Sequence, residues 1–248
     1  MREAFFVTVF CGIETPDPDA LKAMHKDHNM MVPIMEGIHT INSYGMEVVS
    51  GIIMGLDTDK PETGDALLAF VDESRIPLLT INLLQALPKT PLWDRLEREG
   101  RLISEDEGRD SNVDFLLPYE DVVSSWKRCM ETAYEPAKLF ARYEYQCNYT
   151  YTNRLKVPVS PEMKSWRNIR RGLIMLRNIV WKVGVLGDYK KVFWKFAFGR
   201  LRRGDIEGLI GSSMIAHHLI VFARAATSGQ QSASNYSIRL REASVPAE

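Results

Sequence analysis

Cysteine is scarce in this sequence: three residues in 248, Cys11, Cys129 and Cys147, odd in number and far apart. That excludes a disulfide framework and fits a reducing compartment, read here as the cytoplasm. No two of them have the short spacing of a metal site. Long apolar runs are also missing. The longest uncharged stretch, 208–223, is 16 residues and contains His217 and His218. A bilayer takes roughly 20 apolar residues to cross, so no transmembrane helix is expected. The apolar start FFVTVFC follows Glu3 and precedes a Gly-Ile-Glu-Thr-Pro turn, which makes it a strand rather than a signal peptide. Low complexity is confined to SGQQSASN and the tail after it, and 236–248 is expected to be flexible.

Net charge is nearly absent, −1, but its distribution is lopsided. Residues 154–242 hold 17 Lys+Arg against 5 Asp+Glu, whereas residues 1–153 hold 14 against 26. Halves of opposite sign suggest two modules with different partners, and the basic one suits an anionic lipid or a nucleic acid. With 45% hydrophobic residues the chain can bury a real core in one large or two modest domains.

Three stretches, 5–11, 46–56 and 78–84, are rich in β-branched and aliphatic residues and suit buried strands. Each is followed by a loop and a helical pattern. Asp17 caps a helix that Pro18 opens, apolar residues repeat over about 62–74, and Thr90 caps a helix opened by Pro91 and closed by Gly100. Strand, loop and helix recurring at roughly 35 residues predict parallel βαβ units, hence an α/β fold. Three such units fit either an open doubly wound sheet or part of a closed barrel. After Gly100 a polar loop is expected to leave the sheet. A long helix is then expected from Pro118 to about Gln146, followed by a basic helical tail. In that tail Trp166, Ile169, Leu173, Leu176, Val180 and Val183 share one helical face, with Arg167, Arg171 and Lys182 on the other.

In parallel α/β folds, ligands bind at the carboxyl ends of strands. Those ends carry Glu14 and Thr15, then Ser50, Gly51, Gly55 and Asp57, then Asn82 and Gln85. Each has a plain structural reading. GIET can be a capped turn, the glycines packing positions, PKTP a helix start and Lys26 a solvated lysine. His25 and His28 have no third ligand at zinc spacing. His217 and His218 point about 100° apart on a helix, and Met30, Met31 and Met35 read as core.

Taken in order, GIETPDPDALKAMHKDHN, GIIMGLDTDKPET and NLLQALPKTPLWDRLEREGRL resemble the later strands of radical S-adenosylmethionine enzymes. The likeness is to the cobalamin-binding branch, covers about residues 5–103, and extends through the tail to the hopanoid-methylase-like members. It implies the C-terminal part of a TIM-type radical S-adenosylmethionine barrel over 1–110, an all-helical extension over 111–235 and a C-methyltransferase acting on a membrane triterpenoid. Glu14 and Thr15 then fall beside the cofactor's ribose and amino-acid portion, and Lys26 by its carboxylate. Gly51 and Gly55 fall where the backbone nears the adenosyl group. Ser50, Asp57, Asn82 and Gln85 line the pocket without a fixed role. Implied cofactors are S-adenosylmethionine and, in the parent protein, a 4Fe-4S cluster and cobalamin.

The departures carry equal weight. The family's CxxxCxxC loop, which ligates three irons through thiolates, is absent, as is the Asp-x-His-x-x-Gly cobalamin pattern. The expected state is therefore a fragment, inactive alone, whose partner is the N-terminal half of the barrel. Peripheral contact with an anionic membrane is expected, at the inner membrane face, and no nucleic acid. Alternatives are a radical enzyme of the same superfamily acting on a soluble substrate, and a non-catalytic binding remnant of the barrel.

Overall fold

In a computed structural model, which describes residues 1–24, 32–103, 110–155 and 165–228, the chain is α/β. Strands β1 (Thr8–Glu14), β2 (Glu47–Met54) and β3 (Leu78–Leu83) form one parallel sheet with β2 in the middle. Helices α1 (Pro18–Ala23) and α2 (Ile34–Ser43) connect β1 to β2, and α3 (Thr63–Ser74) connects β2 to β3. The sheet starts at Thr8 rather than Phe5. Phe5 takes a left-handed turn (φ 59°) after a short 3₁₀ turn, and pairing begins where Thr8 meets Glu47.

One face of the sheet carries the core. Val48, Ile52 and Met54 of β2 and Leu79, Ile81 and Leu83 of β3 alternate inward, as period 2 requires. They pack with α3 and with α5 (Tyr119–Ala133), whose fully buried Trp126 donates its indole N–H to the Ile81 carbonyl at 2.9 Å. The expected boundary at 110/111 falls in a loop, yet one hydrophobic cluster runs through sheet and helices alike. The stretch after Gly100 does not leave the sheet. It folds back through a Leu102–Val113 bridge, and the Ser111 hydroxyl donates to the Leu84 carbonyl at 2.6 Å.

Thr90 caps α4 (Pro91–Arg98) by accepting from the Trp93 N–H at 3.2 Å, as the sequence suggests. The single helix expected over 118–146 is two: α5, then α6 (Pro136–Tyr145). Proline lacks an N–H and its ring clashes with the carbonyl four residues back, so α5 ends before Pro136 and Glu135 becomes the next N-cap. Beyond α6 come α7 (Trp166–Ile179), which runs into a π-helical turn over 180–185, then α8 (Lys190–Arg202) and α9 (Ile206–Thr227). At 22 residues α9 is long and apolar enough to cross a membrane by length and composition, which the shorter uncharged run did not suggest. Leu209, Ala216, Ile220 and Ala223 are nevertheless buried, and α9 packs against α5, α6 and α8 as a core helix does.

Candidate functional site

The second face of the sheet is uncovered among the described residues. Parallel sheets are ordinarily covered on both faces. This bare face is built in register: Phe10 beside Val49 beside Leu78, Gly51 beside Thr80, Ile53 beside Asn82. Phe10, Thr80 and Asn82 are exposed, and Gly51 and Ile53 half-buried. A Cβ added to Gly51 would meet only the Thr80 hydroxyl, at 3.2 Å. The missing side chain therefore leaves a shallow floor flanked by a hydroxyl and a carboxamide. Such a floor suits a flat, polar-edged group approaching the backbone.

At the carboxyl end of β1 the backbone is strained. Pairing shifts register between Cys11 and Glu14, and Glu14 sits at φ 65°, which a non-glycine residue adopts rarely. Strain of this kind clusters at functional sites. The half-buried Glu14 is thus held at the rim of the open face. The Thr15 hydroxyl is buried and accepts from the Asp17 N–H at 3.2 Å, so it shapes the turn.

The remaining candidates are occupied elsewhere. Ser50 is fully buried on the helix-facing side and donates to the Cys11 carbonyl at 2.7 Å, tying β1 to β2. Gly55 (φ 90°) is required by packing, since a Cβ there would lie 2.5 Å from the Phe115 ring. Asp57 pairs with Arg95 at 2.8 Å and Arg101 at 2.7 Å. Burial pushes its carboxyl up, but the two guanidinium groups outweigh this and hold it below the usual carboxylate range. Gln85 donates to the Asp110 carbonyl at 2.7 Å. Lys26, His25 and His28 lie outside the described residues. Thr80 escaped the sequence reading, although its period-2 spacing from Asn82 was the signal.

The thiols do not suit a cluster. Cys129 and Cys147 are buried and Cys11 partly so, and burial raises all three thiols, Cys129 to about 11. Iron ligation needs thiolates. Among the described residues no three His, Cys, Asp or Glu side chains are grouped to hold a metal ion.

The family described as a domain of unknown function, DUF4070, matches residues 90–232, from the cap of α4 to beyond α9. The chain belongs to the DUF4070 family. Over all 248 residues this DUF4070 chain is 66% identical to the hopanoid C-2 methylase of Rhodopseudomonas palustris, covering 47% of that protein. An uncharacterized methyltransferase of Synechocystis is 32% identical over 207 residues, 82% of this chain and 38% of that one. The bacteriochlorophyllide d C-12(1)-methyltransferase of Chlorobaculum tepidum is 26% identical over 86 residues, 35% of this chain and 19% of that one. The chain thus spans less than half the length of each of these relatives. No solved structure matches. The resemblance to the hopanoid-methylase-like branch is borne out, and methyltransferase names recur among the relatives.

Proposed function

We propose that the chain is the C-terminal part of a cobalamin-dependent radical S-adenosylmethionine C-methyltransferase acting on a hopanoid-like lipid. Its three βα units supply the later strands of a TIM-type barrel. The observation that carries this reading is the 66% identity to a hopanoid C-2 methylase across every residue. The bare face of a parallel sheet supports it, because a closed barrel turns such a face inward and places its ligand at the carboxyl ends of the strands.

In this reading the uncovered face receives S-adenosylmethionine. Gly51 lets the adenosyl group lie against the backbone, Thr80 and Asn82 offer hydrogen bonds to its polar edge, and Glu14 meets the ribose diol or the ammonium. Lys26, by the resemblance, meets the carboxylate. Thr15, Gly55, Asp57 and Gln85 build the loops, and Ser50 ties the strands, that hold these groups. The 4Fe-4S cluster and cobalamin supply electron and methyl transfer and belong to the other half of the parent, so the chain alone is inactive.

The test uses the full-length parent, assembled anaerobically. Glu14→Ala should weaken S-adenosylmethionine binding by about 1.5–3 kcal/mol, the range for a hydrogen bond to a charged group, and Asn82→Ala by about 0.5–1.5 kcal/mol, that for a neutral one, with circular dichroism unchanged. Wild-type affinity in both variants would refute the assignment of this face. Formation of a C-2-methylated hopanoid by the parent in a host lacking the activity tests the substrate separately.

A further inference from the structure

Among the described residues the first half of α7 has almost no packing partner. Leu176, Ile179 and Val183 anchor its C-terminal half to the body, Ile179 and Val183 being buried. Upstream of them, Trp166, Ile169, Leu173, Ile174 and Met175 are exposed, Trp166 by 73% and Leu173 by 56%. Trp181, Val185 and Leu186 continue the apolar surface into the π-helical turn, Trp181 at 58% exposure. An isolated helix of this length is marginal in water, and helices in proteins draw most of their stability from a covered apolar face. Half of this face is uncovered.

The charges choose the occupant. Residues 166–185 contain Arg167, Arg170, Arg171, Arg177 and Lys182 and no acidic residue. At 100° per residue along α7, Arg170 and Arg177 lie between the exposed Trp166–Ile169–Leu173 row and Ile174, while Arg167 and Arg171 lie beyond Ile174. A second copy docking through the same face would bring the same five cations to the contact and be repelled. A lipid surface offers what the stripe lacks: phosphates for the guanidinium groups, acyl chains for the leucine and isoleucine, and an interface for two tryptophans, whose rings favour that depth.

We propose that α7 and its π-helical extension form an amphipathic anchor lying in the plane of an anionic bilayer, seated through Trp166, Ile169 and Leu173 and held by the arginines. This inference does not rest on the methylase reading. It concerns only where the chain sits.

The test is co-sedimentation of the full 248-residue chain with vesicles of phosphatidylcholine alone or with one-third phosphatidylglycerol. Binding should occur on the anionic vesicles, fall steeply with salt, and shift tryptophan emission to the blue. Arg170→Ala with Arg171→Ala should weaken it roughly 30-fold, at about 1 kcal/mol for each basic residue near an anionic surface. Leu173→Glu should abolish the emission shift. All three positions are exposed, so unchanged thermal unfolding is the control for the fold. Equal or absent binding to the two vesicle types overturns the proposal. So does finding that Trp166 is already shielded in the lipid-free full-length parent and that vesicles change nothing.

Discussion

Glu47 and Asp57 stand near opposite ends of β2, and their surroundings drive their carboxyls in opposite directions. Glu47 is buried; it accepts from the Tyr151 hydroxyl at 2.6 Å, lies 3.8 Å from the Arg154 guanidinium, and leaves Oε1 without a hydrogen-bond partner. Burial wins, and the folded pKa rises above its ordinary 4.5. The folded chain then keeps a proton that the unfolded chain has already lost. Stability from this group is therefore full below about pH 4.5 and is lost as pH rises through the folded value. Asp57, held low by Arg101 and Arg95, behaves in reverse: its contribution is present above the ordinary 3.8 and disappears as pH falls through the depressed value. Glu47→Gln keeps an acceptor for Tyr151 without the charge. Urea unfolding from about pH 2 to 8 should show Glu47→Gln gaining stability relative to wild type as pH rises above about 4.5, whereas Asp57→Asn should lose relative stability as pH rises through the range below 3.8. A pH-independent difference for Glu47→Gln would mean that the carboxyl titrates alike in the folded and the unfolded chain.

Among the elements, α5 decides whether sheet and helices form one body. Trp126 fills the space behind β3 and bonds its carbonyl. Trp126→Ala should cost about 3–5 kcal/mol, as large aromatic truncations in cores do. Trp126→Phe should cost less, about 1–3 kcal/mol, through the lost hydrogen bond and the void left by the smaller ring. If both variants unfold at the wild-type denaturant midpoint, α5 is not part of the shared core. Most elements were legible because local chemistry states them: the Thr90-Pro91 cap, the alternating β2 and β3, the stop at Gly100. The break at Pro136 was equally visible and was overridden by apolar residues repeating across it, although a missing N–H outweighs periodicity. The site was less legible. Asn82 and Gly51 share a face because strand parity places them there. Asp57 and Gln85 are drawn away by Arg101 and Asp110, partners that sequence order alone does not reveal. The face of α7 was read correctly, but only packing shows that its second half alone is covered.

For the whole molecule the consequence is a sheet with one face exposed among the described residues. β1 is an edge strand, with no neighbour on its outer side among the described residues. Phe6 and Val7 before and Phe10 within it are exposed, Phe10 by 69%, and FFVTVFC contains no charge and no proline. Natural edges avoid that composition, because unpaired N–H and C=O groups beside β-branched and aromatic side chains template pairing with another chain. The bare face adds Val49, Ile53 and Leu78, which a barrel would bury. The isolated chain should therefore self-associate, its light-scattering mass rising with concentration above that of a monomer. Phe10→Lys, at an exposed position, should lower that mass without lowering the unfolding midpoint, by placing a charge on the bare face of the edge strand. Co-expression with the preceding half of the parent should restore a single species by pairing β1 and covering the face. A monodisperse monomer from the chain alone, unchanged by Phe10→Lys, would mean that three strands and their helices form a self-sufficient sheet, and the partial-barrel reading would fall.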